Sequence, residues 1–197
     1  MPANRAAKVQ QQHHRLLDGL AASIREKGLA HTHVSDIVAH AHASRRTFYK
    51  HFADKESCLV ELVHLSATTI IEAVAAATNL HARRSVQIEQ AIDAYISVLS
   101  SEPALTLALS SPAVGEGIVR AQRDALERFA EFLVALAARA ADDATPWVPV
   151  SMECAYMLGS GLRAAALRAI ERGEQLDRVS EEGKAVFKAV LDGAAQP

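Results

Sequence analysis

Cysteine is nearly missing from this sequence. Cys58 and Cys154 are the only two among 197 residues and form no CxxC pair, so a disulfide framework is excluded and two reduced thiols in helices are expected. Long apolar runs are missing as well. Stretches such as 132–138 fall well short of the roughly 18 residues that span a bilayer, and the opening "MPANRAAK" has no apolar segment of the signal-peptide kind. The expectation is a cytoplasmic protein with no membrane partner. Runs of β-branched residues are few, and neither an internal repeat nor a low-complexity tail is found.

What is present is half hydrophobic, enough for a real core, and its net charge is only -2. That charge is unevenly shared. Residues 1–55 carry nine Lys/Arg against four Asp/Glu, and residues 56–197 carry twelve against nineteen. Seven of the nine histidines (13, 14, 31, 33, 40, 42 and 51) also lie in the basic head. A basic head on an acidic body is the pattern of a polyanion-binding module beside a non-binding one.

Richness in Ala, Leu, Glu and Arg, with Pro and Gly as punctuation, predicts an all-α chain of about nine helices. The first runs over about 7–27, with Leu16, Leu17, Leu20 and Ile24 on one stripe and Gly28 as its stop. A short helix follows over 34–41, opened by Thr32 or by His33 with Asp36 three residues on. A turn "AHAS" comes next, then a second short helix through Phe52 that Ser44 can cap. Asp54 suits the N-cap of a long helix to about residue 78, and Pro103, Pro112, Pro146 and Pro149 divide the remainder into about 83–101, 103–110, 113–140, 149–172 and 177–194.

The stretch "SRRTFYKHF" has two sides. At about 100° per residue, Phe48 and Phe52 share one side while Arg45, Tyr49, Arg46 and Lys50 sweep the rest. Such a set can hydrogen-bond phosphates and guanine edges if the helix lies in a major groove. Two short helices around a turn have the helix-turn-helix layout.

"HHRLLDGLAASIREKG", "VSDIVAHA" and "SRRTFYKHFADKESCL" together resemble the N-terminal domain of the TetR family of bacterial transcriptional regulators over roughly residues 13–65. The "TFYKHFADKE" pattern carries the resemblance most specifically. It implies a helix-turn-helix domain over 1–55 and a helical effector-binding and dimerisation domain over 56–197. It further implies a homodimer on a palindromic double-stranded DNA operator, repressing a nearby gene until a small molecule binds. Carried over position by position, Arg45, Arg46 and Thr47 would face bases, Tyr49, Lys50 and His51 bases or phosphates, and Ser44 would stand with them at the helix start. Lys55, in the first turn of the long helix, and Thr32, His33 and Ser35, at the start of the bracing helix, would reach phosphates. His42 stands where the family carries glycine, a position that calls for left-handed backbone. Ser23-Ile24 replaces a leucine–aromatic pair.

The other signals are weaker. His31-x-His33 and His40-x-His42 do not share helix faces and lack completing ligands, so no metal is expected. "GSG" at 159–161 lacks the setting of a nucleotide loop. No paired carboxylates or nucleophile–base set suggests an enzyme, and neither catalytic residues nor a cofactor are assigned. The 149–172 helix has two apolar faces. One, through Met152, Tyr156, Gly159, Leu162 and Ala166, is assigned to the interior. The other, with Met157, Leu158, Gly161 and Ala165, is assigned with Val186, Phe187, Val190 and Leu191 to a two-fold partner. Candidates for an effector pocket are His64, Thr68, Tyr95, Leu99, Phe129, Trp147, Met152 and Tyr156. The competing reading is an all-helical ligand carrier or interaction protein whose basic head does not read DNA.

Overall fold

The computed structural model describes residues 2–111, 115–139 and 150–193. Every regular element among them is helical: α1 (Pro2–Lys27), a 3-10 turn (Leu29–His31), α2 (Val34–His40), α3 (Arg45–His51), α4 (Lys55–Ala77), α5 (Arg84–Ser101), α6 (Pro103–Ser110), α7 (Glu116–Arg139), α8 (Met152–Glu171) and α9 (Asp177–Gly193). No strand occurs among the described residues.

Local chemistry sets most of the ends. Helix α1 begins five residues earlier than expected, at Pro2, a residue suited to a first helical position. It stops at Gly28, whose φ of 78° a side-chain-bearing residue would resist. Asp54 and Ser57 cap α4 reciprocally: Ser57 N–H donates to Asp54 Oδ1 at 2.7 Å, and Asp54 N–H to Ser57 Oγ at 3.1 Å. Helix α8 starts at Met152, not 149, because Ser151 is its cap and accepts from Cys154 N–H at 3.1 Å. Helix α4 is long and apolar enough to cross a membrane by length and composition, more than its short apolar runs suggested. Glu61 and Glu72 lie along its length.

The chain divides into two compact units. The first comprises residues 1–65 and 104–122. Leu16, Leu20 and Ile24 of α1, Ile37 of α2, Phe48 of α3 and Leu59 of α4 are among its most deeply buried residues, none more than 1% exposed. Each such side chain contributes about 1.5–3 kcal/mol by leaving water. Helices α1 and α2 cross closely at Gly19, where an added Cβ would lie 2.5 Å from Ile37 O and 3.1 Å from Ala41 Cβ. Ser23, one turn on, is wholly buried and satisfies its hydroxyl by donating to Gly19 O at 2.8 Å. Cys58 is buried here, and burial pushes its thiol up to about 12, so it is a core residue with little thiolate character.

The second unit comprises residues 66–103 and 123–197. Its core joins Val74, Ile92, Tyr95, Phe129, Ala166 and Phe187 with their neighbours. Small residues bring α8 inward: Ala155, Gly159, Ala166 and Ala169 are buried, and a Cβ at Gly159 would meet the Phe129 ring at 3.3 Å. A polar seam joins α5 to α9. Lys184 and Ser180 each approach Asp93 Oδ1 at 2.7 Å, and Lys188 pairs with Glu89. Burial pushes the Asp93 carboxyl up, but the hydrogen bonds from Lys184 and Ser180 outweigh it and hold the group below its ordinary value.

Candidate functional site

The turn between α2 and α3 is a Schellman closure. His42 N–H donates to Ala39 O at 3.2 Å and Ala43 N–H to Val38 O at 2.9 Å. This requires left-handed backbone at His42, and its φ is 48°. The histidine therefore does what glycine does at such a position, at some steric cost. Arg15 of α1 secures the same corner by donating from Nη2 to Ala41 O at 2.7 Å. Sequence reasoning missed Arg15, whose only signal is its place one residue before the buried Leu16.

Ser44 caps α3, accepting from Thr47 N–H at 3.0 Å, and its hydroxyl lies 2.9 Å from that of Thr47. Both hydroxyls are thus tied to the helix start. Phe48 is fully buried, whereas Arg45, Arg46, Tyr49 and Lys50 are exposed, Tyr49 by 58%. The Phe48 ring packs edge-on to Tyr49 at 5.4 Å and against Phe52 at 5.6 Å. One face of the helix is moored and the other presents two guanidiniums, a phenol and an ammonium to solvent. His33 and Ser35, at the start of α2, are exposed too. The Asp36 carboxylate accepts from His33 N–H at 2.8 Å and from Lys27 at 3.0 Å, which holds it below the ordinary carboxylate value.

Three residues expected at DNA are placed differently. Thr32 is completely buried and donates its hydroxyl to Gly28 O at 2.8 Å, so it closes the turn after α1. Lys55 is half-buried and donates to Thr32 O at 2.9 Å and Leu29 O at 3.3 Å, capping carbonyls that the 3-10 turn leaves open. His51 is half-buried, its ring 5.6 Å from that of His13. His13 in turn reaches Glu61 at 2.6 Å and stacks on Phe52 at 4.8 Å. Burial, then the neighbouring His13, lowers the His51 pKa below its ordinary value. No group of three metal-ligating side chains comes together among the described residues.

The pocket candidates scatter. Tyr95, Leu99 and Phe129 are buried in the core of the second unit, with the Tyr95 and Phe129 rings 5.1 Å apart. All three belong to one cluster of buried side chains. Burial raises the Tyr95 phenol to about 12. Thr68 accepts from Arg128 at 2.8 Å, Met152 and Tyr156 are half-buried, and His64 falls in the first unit. Trp147 lies outside the described residues. An apolar cavity of about 70 Å³ in the second unit is lined by none of these, but by residues that include Arg84, Gln87, Ala91, Leu133, Leu136 and Ala155. Its one visible signal in the sequence was Gln87, a polar residue inside the apolar spacing of α5.

On α8 and α9 the outward apolar set divides. Met157, Val186 and Val190 are 67%, 50% and 38% exposed, Ala165 is exposed, and Gly161 faces open space. Phe187 instead belongs to the core of its own unit, and Leu158 and Leu191 pack against that core half-buried. Between the two helices lies a groove of about 660 Å³, lined by Met157, Gly161, Ala165, Val186 and Phe187 with Arg168, Arg178 and Glu182 among its polar members.

Residues 16–62 match the family model of bacterial regulatory proteins, tetR family. No curated protein matches the chain. Several solved structures share its fold. A TetR-family transcriptional regulator from Mesorhizobium loti superimposes with a TM-score of 0.73 at 20% identity, covering 92% of this chain and 97% of that one. FadR from Bacillus subtilis, solved in complex with stearoyl-CoA, gives 0.70 at 16% identity, covering 91% and 97%. A TetR-family regulator from Syntrophomonas wolfei gives 0.68 at 17%, covering 93% and 96%.

Proposed function

We infer that this chain, a TetR-family transcriptional regulator by its residues 16–62, is a dimeric repressor that holds a palindromic operator and leaves it when a small molecule binds. The observation that carries the reading is the two-sided α3: Phe48 sealed in the core, with Arg45, Arg46, Tyr49 and Lys50 outward. In this reading residues 1–55 are the DNA-binding domain and residues 56–197 the effector-binding and dimerisation domain, and the protein works in the cytoplasm. Arg45 and Arg46 read base edges, Tyr49 and Lys50 hold phosphates, and His33 and Ser35 meet the flanking backbone.

Dimerisation is supported by Met157, Val186 and Val190, large apolar side chains left in water on neighbouring helices. A two-fold axis there would pair α8 and α9 with their copies as four packed helices, and a palindromic operator calls for two α3 helices about 34–36 Å apart. Effector control is supported by the apolar cavity of the second unit. Helix α4 runs from residues of the first unit into the second, as does α7. A ligand that favours one setting of these helices by about 1–3 kcal/mol changes operator affinity 5- to 150-fold.

Titrating a fluorescent random duplex at low and moderate salt tests the DNA-binding reading, and selection of bound genomic fragments followed by footprinting then identifies the operator. Expected are a steep salt slope and a palindromic footprint. Absence of binding at both salts would leave the ligand-carrier reading standing instead. Sedimentation of the full chain reads the dimer directly.

A further inference from the structure

We propose that His13 of α1 is a positioning residue for α3, and that it forms with His51 and Glu61 a clasp on the end of that helix which holds while at most one of the two histidines carries a proton. The inference deepens the DNA-binding reading above and rests on it only for what release of the clasp does to DNA binding.

Helix α3 has seven residues, too few to hold in water by its own hydrogen bonds. Its start is fixed by the Ser44 cap and its middle by buried Phe48, so its last turn depends on what meets His51 and Phe52. His13 meets both. Its ring lies 4.8 Å from that of Phe52 and 5.6 Å from that of His51. Its Nε2 is 2.6 Å from Glu61 Oε2. A carboxylate has no proton to give, so Nε2 carries the hydrogen and Glu61 accepts it. One side chain of α1 therefore bridges the end of α3 to α4.

The charged groups that act on His51 are His13 from α1, Glu61 from α4 and Lys50 from its own helix, and His13 acts more strongly than Glu61. Exposed His14, its ring 6.2 Å from that of His13, adds another imidazole on the α1 side. On α4, Cys58 lies one turn before Glu61 as a buried neutral thiol, and His64 one turn after it. A proton on His13 meets the Glu61 carboxylate at hydrogen-bond distance. A second proton, on His51, sets two imidazolium rings 5.6 Å apart, partly withdrawn from water. It therefore favours any arrangement in which the last turn of α3 moves off α1. Because the folded-state pKa of His51 lies below its ordinary value, the clasp is complete above about pH 6.5 and is lost as pH falls through that value toward the folded-state pKa.

Two titrations of the full-length protein from pH 8 to pH 5 test this. The first, without DNA, follows the imidazole Hε1 resonances and the exchange protection of the α3 amides by nuclear magnetic resonance. The His51 midpoint is expected to rise in His13→Gln, whose amide can still donate to Glu61 but carries no charge. Protection of the Phe52 amide, bonded to Phe48 O at 2.9 Å, should fall with the His51 step and by more than that of Leu20 in α1. In His51→Gln it should persist to pH 5. The second titration measures affinity for a random duplex at constant ionic strength, for the unsubstituted protein and for His51→Gln. The other histidines are present in both proteins, so the ratio of the two affinities isolates His51. That ratio should fall several-fold on acidification. A ratio that rises would make His51 a phosphate contact and overturn the proposal, as would a level ratio, a His51 midpoint unmoved by His13→Gln, or Phe52 protection that ignores the His51 step. Absence of DNA binding at every pH would sink the repressor reading, and the first titration judges the clasp in that case as well.

Discussion

The ammonium of Lys55, in the first turn of α4, donates to the carbonyl oxygen of Thr32 at 2.9 Å. A cation that the family resemblance assigns to DNA phosphate is thereby tied to the backbone that leads into α2. Lys55→Ala is expected to lower the stability of the first unit by about 1.5–3 kcal/mol, the range for hydrogen bonds to charged groups. The salt slope of DNA binding should stay unchanged. Urea denaturation and a salt titration read the two quantities, and unaltered stability with a slope reduced by about one would return Lys55 to a phosphate.

Arg45 and Arg46 sit on the exposed face of α3 beside Tyr49 and Lys50. Planar forked donors distinguish guanine, whereas a phenol and an ammonium hold phosphate without reading sequence. Arg45→Ala or Arg46→Ala should relax base preference, with about 1–3 kcal/mol lost on the operator and little on random DNA. Tyr49→Ala and Lys50→Ala should weaken both by similar factors. Equal losses on both DNAs for all four variants would refute the division of roles.

Gly19 sits where α1 and α2 cross, with Ile37 O 2.5 Å from any Cβ placed there. In an open helix, replacing glycine by alanine stabilises by up to about 1 kcal/mol. Here the obstacle is backbone and cannot turn aside, so Gly19→Ala is expected to destabilise the first unit by about 1–3 kcal/mol in urea unfolding. A stabilised variant would mean that the helices separate freely.

His51 is held with its pKa below the ordinary histidine value, first by burial and then by His13. Its folded-state pKa therefore lies under the unfolded one of about 6.5. Its contribution is complete above that value and is lost as pH falls through it toward the folded-state pKa. Urea midpoints measured from pH 8 to pH 5 should drop on acidification, and His51→Gln should flatten part of that drop. An identical profile in the variant would remove His51 as the cause.

Most of the fold was legible because helix ends are local events. Gly28, Asp54, Pro103 and the apolar spacing of Leu16, Leu20 and Ile24 each act within a turn or two, and the helices begin and end near them. The two-sided character of α3 was legible for the same reason, since which residues share a helix face follows from about 100° per residue alone. His42 was marked as a position calling for left-handed backbone and takes it, because a Schellman closure at that spacing leaves no other choice.

What the sequence by itself determined is therefore an all-helical chain with, in its N-terminal third, a short helix whose cations and phenylalanines point apart. The tertiary structure alone decided which polar atoms are already occupied. Thr32 and Lys55 meet carbonyls brought together by the turn after α1, and Phe187 enters its own core although Val186 and Val190 remain in water. Gln87 and its cavity depend on residues as far apart as Arg84 and Leu191. Helical periodicity states which way a side chain faces, but only packing between distant segments states what it faces.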